Sequence, residues 1–301
     1  MKIRANGIEI EYDVSGPKDG IPLILISGFG SQMTSWPDEL YRMFTDAGIK
    51  LIRFDNRDVG LAQKWDGIIP KPDDVMKAVA EGRRPDIPYT LDDMAADAAG
   101  LLDALGIETA HIAGASMGGM IAQLVALNHP EKTRSLISIF STTGDYSLPR
   151  STPEAQAALQ GRPPNGERAT VIAHSLKGRR AYASTRWPFD EPRIIELIGK
   201  SYDRSYYPEG TSRQFAAIMA APPRTERLKS LNVPSLVLHG SADTLVRTEG
   251  GRHTAQCIPG SEYHEVEGWG HDFPLEVIPI LREFIIPFIN RVEASRAKQA
   301  A

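Results

Sequence analysis

Short apolar runs that end in glycine or a polar residue recur along this chain of 301 residues and limit its fold more than any other feature. Such continuous runs suit strands that are buried on both faces, as in a parallel sheet. Segments with helical spacing of apolar residues separate them, which predicts an α/β fold with right-handed crossovers. The clearest runs are PLILISG (22–28), IKLIRFD (49–55), HIAGAS (111–116), SLISIFS (135–141) and PSLVLHG (234–240).

The two ends of the chain extend this pattern. Residues 2–15 alternate apolar and polar side chains around Asn6-Gly7, which predicts a β-hairpin with a tight turn. A further strand at 261–267 and a helix from about residue 274 complete the alternation. The expected sheet is therefore mostly parallel, has eight strands and is flanked by helices.

The alternation stops in segment 145–225, which is rich in Arg, Pro and Tyr and carries only short helical stretches. We expect this segment to be a cap inserted over one end of the sheet. The core is then formed by residues 1–144 and 226–301. Residues 56–89 are polar and rich in Pro and Gly, and they predict a long loop.

The amino-acid composition limits the kinds of partner that the protein is expected to bind. The net charge is −4 and the pI is about 6.0, so no basic excess points to a nucleic acid. The single cysteine, Cys257, excludes an internal disulfide, and no histidine or cysteine pair has metal-ligand spacing, so we predict no metal site. The N-terminus lacks the apolar core of a secretory signal and no run could span a bilayer. We expect a cytoplasmic monomer or homodimer that does not bind membranes.

Gly114-Ala-Ser116-Met-Gly118 fits the pattern G-x-S-x-G, and its context favours a reactive serine. A predicted strand precedes it and a predicted helix follows it, so the serine would sit on a sharp turn with its hydroxyl above the sheet. Side chains at the two glycine positions would crowd that turn. The helix N-terminus would then face developing negative charge.

A serine hydroxyl needs a base, and His271 in Gly268-Trp-Gly-His271 is the candidate because it follows the last predicted strand. Its imidazole needs a carboxylate that fixes the tautomer. Asp243 follows the strand SLVLHG and should lie at the carboxyl edge of the sheet, where ligands bind. Asp145, which follows the preceding strand, is the alternative.

A tetrahedral intermediate needs two donors aimed at its oxygen. One candidate is the backbone N–H of Met117, directly after the serine. The other is the N–H of Phe29 in the loop Ser27-Gly-Phe-Gly30, where flanking glycines let the backbone approach a substrate.

The set ISGFG, DNRDVG, GASMGG, LHGSAD and GWGH resembles the α/β-hydrolase superfamily along nearly the whole chain. The segment from SGFGSQMTSW to LIRFDNRDVG resembles the branch of aclacinomycin methylesterase and related bacterial carboxylesterases. The resemblance implies an α/β-hydrolase fold with a cap, a triad of Ser116, Asp243 and His271, oxyanion donors at Phe29 and Met117, and no cofactor.

Two positions depart from the family pattern. Ser27-Gly28 stands where many relatives have His-Gly, which leaves the support of that loop open. Asp55-Asn-Arg57-Asp-Val-Gly60 replaces D-x-R-G-x-G, and we interpret Asp55 and Arg57 as structural residues.

Serine rather than aspartate at position 116 implies acyl transfer, and small to medium carboxylic esters are the expected substrates. A carbon–carbon bond hydrolase, a perhydrolase or acyltransferase, and a ligand receptor without turnover are the alternatives. Gly28, Trp187 and Phe215 are candidate substrate contacts, although the spacing of the aromatic residues favours packing between cap and core over a substrate pocket. Arg179, Arg180 and Arg186 could meet an acidic substrate or form a solvated face.

Overall fold

Eight strands form one sheet in the computed structural model, which describes residues 1–300. They are β1 (Lys2–Ala5), β2 (Ile8–Ser15), β3 (Ile21–Ile26), β4 (Ile49–Phe54), β5 (Ala110–Ala115), β6 (Thr133–Ile139), β7 (Ser235–Gly240) and β8 (Glu262–Val266). Their spatial order is β1-β2-β4-β3-β5-β6-β7-β8. The pairings β1–β2 and β2–β4 are antiparallel and the others are parallel, which confirms the predicted sheet.

Eleven α-helices connect or follow the strands within the described part of the chain. They are α1 (Asp38–Thr45), α2 (Pro72–Ala80), α3 (Leu91–Ala104), α4 (Met117–Asn128), α5 (Pro153–Gln160), α6 (Arg168–Ala181), α7 (Glu191–Arg204), α8 (Pro208–Ala220), α9 (Thr225–Leu228), α10 (Thr248–Cys257) and α11 (Val277–Ala300). Short 3₁₀ turns lie at Met33–Ser35 and Pro130–Lys132. Over residues 1–300, no helix combines the length and apolar character needed to cross a bilayer.

The N-terminal hairpin forms as predicted. Ala5 pairs with Ile8, and the two residues between them, Asn6 and Gly7, have φ values of 47° and 78°. Positive φ at both central positions is the geometry of a tight two-residue hairpin turn, which Asn-Gly favours.

The central parallel strands are buried on both faces because helices cover each side of the sheet, whereas the edge strand β8 is only partly buried. In β3, Ile24 and Ile26 face one apolar cluster, and Leu23 and Leu25 face the other. Helices α3, α4 and α10 contribute to the first cluster, and α1 and α11 contribute to the second. Burial on both sides explains why these strands are continuous apolar runs rather than alternating ones.

Helix α2 forms inside the segment that was predicted to be a long loop. Pro72 occupies the start of this helix, where its missing N–H costs nothing, and Asp73 and Asp74 complement the helix dipole. Its buried apolar side chains are Val75 and Ala78. Two such positions are too few for a periodic signal, so the proline content dominated the prediction.

Helices α5–α8 are inserted between β6 and β7, and we call residues 153–220 the inserted helices. Arg213 on α8 attaches them to the loop after β4. Its Nε and Nη2 atoms donate to the Asp58 carboxylate over 2.8 and 3.1 Å, and both side chains are buried. The Tyr89 hydroxyl donates to the same carboxylate over 2.6 Å. This buried ion pair ties the inserted helices to the core.

Replacing Arg213 with methionine is expected to lower the free energy of unfolding by about 3–5 kcal/mol, because Asp58 would keep a buried charge without its cation. Urea titration followed by circular dichroism measures this change. The matched control is Arg168→Met, since Arg168 pairs with Asp203 on an exposed surface. An exposed pair contributes little, so this variant should stay close to the parent. Equal stabilities of the two variants would contradict the assigned role of Arg213.

Candidate active site

The candidate residues lie in loops at the carboxyl edge of the parallel strands. Ser116 follows β5, Asp243 follows β7, and His271 follows β8. Phe29 follows β3, the neighbour of β5 in the sheet. Open α/β sheets bind ligands at this edge, so the topology collects side chains that are far apart in sequence.

Ser116 sits on a strained turn between β5 and α4. Its φ and ψ are 57° and −122°, a region that residues with a side chain rarely adopt and that costs about 1–3 kcal/mol. The hydroxyl of Ser141 donates to the Ser116 carbonyl over 2.8 Å, and the N–H groups of Gly119 and Met120 donate to the same oxygen. These bonds hold the strained backbone in place.

The two glycines of the motif permit this turn because the backbone is crowded on both sides. A Cβ atom at Gly114 would lie 2.0 Å from the Gly118 carbonyl oxygen. One at Gly118 would lie 2.1 Å from the Ile26 carbonyl oxygen. Side chains at these two positions would crowd the turn, as expected from the motif, and the turn packs directly against the end of β3.

Asp243 and His271 form a direct pair. His271 Nδ1 lies 2.7 Å from Asp243 Oδ2; the Asp243 side chain is fully buried, and 8% of the His271 side chain is exposed. A carboxylate at this distance keeps the proton on Nδ1 and leaves Nε2 free to accept one. Asp145, the alternative weighed in sequence, instead accepts hydrogen bonds from Ser147 and Thr225.

The Asp243 carboxylate is held ionised by its surroundings. Burial alone would raise its pKa, but the neighbouring His271 and hydrogen bonds from His239 and His271 outweigh burial and hold the pKa well below its usual range. Its second oxygen, Oδ1, accepts the N–H groups of Leu245 and Val246, each over 2.9 Å. The two oxygens therefore have fixed and different partners.

The loop that carries His271 is braced by the segment after α6. The His271 N–H donates to the Tyr182 carbonyl over 2.7 Å. The Ser184 hydroxyl donates to Asp272 over 2.5 Å and accepts the Gly270 N–H over 3.0 Å. Burial raises the pKa of Asp272, and its hydrogen bonds from Ser184 oppose that shift only in part.

Ser116 and His271 line the same cavity, which has a volume of about 1470 Å³. The hydrogen bonds found within residues 1–300 do not include one between the Ser116 hydroxyl and His271. Such bonds are often long in unliganded enzymes and tighten when substrate binds. The arrangement can support general-base activation of an alcohol.

The loop after β3 is held by hydrogen bonds to Ser27, the residue at the position of the histidine in the pattern His-Gly. The Trp36 indole N–H donates to the Ser27 hydroxyl over 2.9 Å, and the Asn56 amide donates to the Ser27 carbonyl over 3.0 Å. A Cβ atom at Gly28 would lie 3.4 Å from Ser116 Cβ, so this loop runs beside the serine. Ser27 thus supplies the support that the sequence left open.

The two candidate oxyanion donors carry unused N–H groups. Met117 is the first residue of α4, where a helix N–H has no partner within the helix. No hydrogen bond found in residues 1–300 uses the N–H of Phe29 or of Met117. The N-terminus of α4 adds its positive dipole end at the same point.

The candidate substrate contacts divide into two groups. Gly28 and Phe215 line the cavity. Trp187 does not, so this prediction is wrong: its ring packs against the apolar cluster under α1 and α11 and carries the Arg186 guanidinium at 5.3 Å. A large aromatic ring gains more by burial against the core than by facing a partly open cavity.

The three arginines of the insertion also differ. Arg179 lines the cavity. Arg180 pairs with Glu191 and stacks on Phe189, and Arg186 stacks on Trp187. Two of the three therefore belong to the outer face of the insertion.

Asp55 and Arg57 have the contacts of structural residues. The Asp55 carboxylate accepts the N–H groups of Met33 and Leu61, each over 2.8 Å. Arg57 forms a buried pair with Asp97, with bonds of 2.6 and 2.7 Å. These residues fix the loop after β4 rather than face the serine.

Sequence reasoning missed two neighbours of the Asp243–His271 pair. His239 Nε2 lies 3.4 Å from Asp243 Oδ2 and 2.8 Å from the Val246 carbonyl oxygen. The Phe140 ring packs against the His271 ring with centroids 4.4 Å apart. His239 lies four residues before Asp243, at the end of β7, and this spacing could have indicated that the two side chains are close. The apolar residues around His239 in sequence instead favoured a place in the core.

Within the described residues, no group of three or more His, Cys, Asp or Glu is placed to hold a metal ion.

A family model described as the alpha/beta hydrolase fold matches residues 21–276, and the chain belongs to that family. The strained serine turn and the Asp243–His271 pair lie inside the matched region. The resemblance noted in the sequence is thereby confirmed at the level of the family.

Two relatives are rhodomycin D methylesterases of Streptomyces. DauP of Streptomyces sp. (strain C5) is 27% identical over 289 residues, which cover 88% of this chain and 89% of DauP. DnrP of Streptomyces peucetius is 27% identical over 281 residues, which cover 85% of this chain and 86% of DnrP. Among solved structures, a meta-cleavage product hydrolase from Pseudomonas fluorescens IP01 superposes with a TM-score of 0.74 at 20% identity, covering 97% of each chain. That likeness concerns the fold.

Proposed function

We propose that this chain is a serine carboxylesterase that forms an acyl-enzyme on Ser116, with residues 145–225 acting as a cap over the site. The observation that carries the proposal is the 2.7 Å contact between Asp243 and His271 in a cavity that Ser116 also lines. The strained turn at Ser116 supports the same assignment, because backbone strain of this kind clusters at reactive residues.

In the first half of the reaction, Ser116 Oγ attacks the ester carbonyl carbon while His271 Nε2 takes the hydroxyl proton. The negative charge that develops on the carbonyl oxygen is received by the N–H groups of Phe29 and Met117. The carbon–oxygen bond to the alcohol then breaks. The leaving oxygen takes the proton from His271, and the acyl group remains on Ser116.

In the second half, water attacks the acyl carbon and gives a proton to His271. The intermediate collapses, the carboxylic acid leaves, and Ser116 regains its proton. Asp243 stabilises the imidazolium in both halves and stays ionised throughout.

The volume of the cavity bears on the size of the substrate. A cavity of about 1470 Å³ exceeds the roughly 300–1,000 Å³ of most small-molecule sites. It has room for small to medium esters and also for a larger acid part. The names of DauP and DnrP specify a methyl ester of rhodomycin D, and this favours a methyl or other short alcohol as the leaving group.

Rapid mixing with p-nitrophenyl acetate tests the acyl-enzyme. We expect a burst of p-nitrophenol close to one equivalent of enzyme if deacylation is the slower step, and an acetyl group on the peptide that contains Ser116 after an acid quench. An acetyl group on another residue, with that residue required for turnover, would refute the proposal.

A substrate panel separates the alternatives that share the same triad. It includes aryl and methyl esters of increasing acyl length, a vinylogous diketone, and hydrogen peroxide or an alcohol added as competing acceptor. Faster turnover of the diketone than of any ester would favour the carbon–carbon bond hydrolase. Absence of turnover for all of them, with ligand binding retained, would favour a receptor.

A further inference from the structure

Gln214 on α8 connects the inserted helices to the loop that carries Phe29. Its Oε1 accepts the Gly30 N–H over 2.9 Å, and its Nε2 donates to the Arg57 carbonyl over 2.9 Å. The side chain is fully buried, with 0% of its surface exposed. Both ends of the amide are used, so its orientation is fixed.

The bonded N–H belongs to the middle peptide of a tight turn. The Ser31 N–H donates to the Gly28 carbonyl over 3.2 Å, which makes Phe29 and Gly30 the two central residues. Gly30 has a φ of 64°, as required at the third position of a type II turn. Types I and II differ by a rotation of the middle peptide, which swaps the positions of its N–H and its carbonyl.

Gln214 selects one of these two orientations. With the middle peptide rotated, the Phe29 carbonyl would face the Gln214 carbonyl oxygen, and two acceptors would be buried against each other. Ordinarily a buried acceptor without a donor is costly. The Gln214 amide cannot turn over to compensate, because its NH₂ group is already bonded to the Arg57 carbonyl.

A second contact from α8 holds the same turn. The Phe29 ring packs against Phe215, with centroids 6.0 Å apart. The neighbouring Arg213 attaches α8 to Asp58, and this ion pair holds the backbone that carries Gln214 in place. The turn itself lies against the serine, since a Cβ atom at Gly28 would come within 4.0 Å of Ser116 Oγ.

We infer that Gln214 is a positioning residue for the oxyanion hole. It anchors the peptide that follows Phe29 and thereby holds the whole Gly28–Ser31 turn, whose preceding peptide carries the Phe29 N–H, in its place beside Ser116. The inference rests on the proposed function, because it assumes that Phe29 is an oxyanion donor. It assigns to an inserted helix a part in transition-state stabilisation that is separate from shaping the cavity.

Gln214→Met tests this inference, because methionine has a similar length and no hydrogen-bonding amide. Loss of one oxyanion donor typically costs about 10²–10³-fold in kcat, and loosening it should cost about 10–100-fold. KM for a p-nitrophenyl ester should change by less than about threefold, because the contact acts on the transition state. The inhibition constant of a trifluoromethyl ketone, which forms a tetrahedral oxyanion on the serine, should rise by the factor by which kcat/KM falls.

Gln214→Glu separates positioning from stability. It keeps an acceptor for the Gly30 N–H, and its ionised form cannot donate to the Arg57 carbonyl. We expect kcat within about fivefold of the parent despite a lower melting temperature, since the acceptor carries the catalytic effect. A glutamate variant as slow as the methionine variant would overturn the inference.

Gln32→Met is the matched control for the attachment of the insertion. The Gln32 amide donates to the Ser201 and Ser205 carbonyls without touching Gly30. The Gln32→Met variant should have a lower melting temperature than the parent, while its kcat should change much less than that of Gln214→Met. If Gln214→Met does not fold, Gln214→Asn, whose amide stops one methylene short of Gly30, replaces it.

The outcomes distinguish the two levels of the proposal. Ser116→Ala is measured beside these variants. If it hydrolyses the ester as fast as the parent, the proposed function fails and the role of Gln214 fails with it. If Ser116 is essential but a folded Gln214→Met variant keeps kcat within about twofold of the parent, or loses activity only through KM, the inference about Gln214 alone is refuted.

Discussion

Ser116→Ala is expected to lower kcat/KM for p-nitrophenyl acetate by at least about 10⁴-fold, because no other group can take over the attack on the acyl carbon. The residual rate would come from the oxyanion donors and from substrate binding alone. Steady-state release of p-nitrophenol at matched protein concentrations measures the loss.

The variant should keep its fold. Alanine places the same Cβ atom on the strained backbone, and the bonds to the carbonyl of residue 116 come from Ser141 and from the start of α4. Circular dichroism and the melting temperature should therefore match those of the parent. Hydrolysis at the parental rate by the folded variant would exclude Ser116 as the nucleophile.

Asp243→Asn is expected to lower kcat by about 10⁴-fold through the tautomer of His271. The asparagine oxygen should occupy the Oδ1 position, where the N–H groups of Leu245 and Val246 already donate. Its NH₂ group would then face His271 Nδ1, which must present a lone pair. The imidazole proton would move to Nε2, so the ring could no longer accept a proton from Ser116.

Asp145→Asn is the control for this variant. Asp145 is the other carboxylate that follows a strand near the site, but it bonds Ser147 and Thr225, and those hydrogen bonds lower its pKa to about 2. Its replacement should leave kcat near the parental value. A kcat for Asp243→Asn within tenfold of the parent, or a larger loss for Asp145→Asn, would rule out Asp243 as the residue that orients His271.

The sheet and its edge could be predicted because most of the parallel strands carry apolar runs in sequence, although Lys50 and Arg53 interrupt β4 and β8 has no such run. The same logic placed Ser116, Asp243 and His271 at strand ends, and the structure brings Asp243 to His271 rather than Asp145. The pattern worked because burial on both faces of a sheet leaves a local signal.

Features set by distant contacts could not be predicted. Gln214 reaches Gly30 across 184 positions of sequence, and nothing in the period of α8 marks it. Trp187 was expected near the substrate, but aromatic composition cannot distinguish a cavity wall from packing on the core. The helix at Pro72–Ala80 was missed because two buried residues give too short a pattern to outweigh the prolines.

The segment after α6 that braces the His271 loop has a consequence for engineering. Tyr182 and Ser184 are bonded to that loop and belong to the same insertion that walls the cavity. The insertion could be replaced by that of a homologue in order to change which ester is accepted. This replacement would also remove the contacts of Tyr182 and Ser184 and would therefore disturb the orientation of His271. Redesign of selectivity in this protein should graft individual wall residues and leave the Tyr182–Ser184 bridge intact.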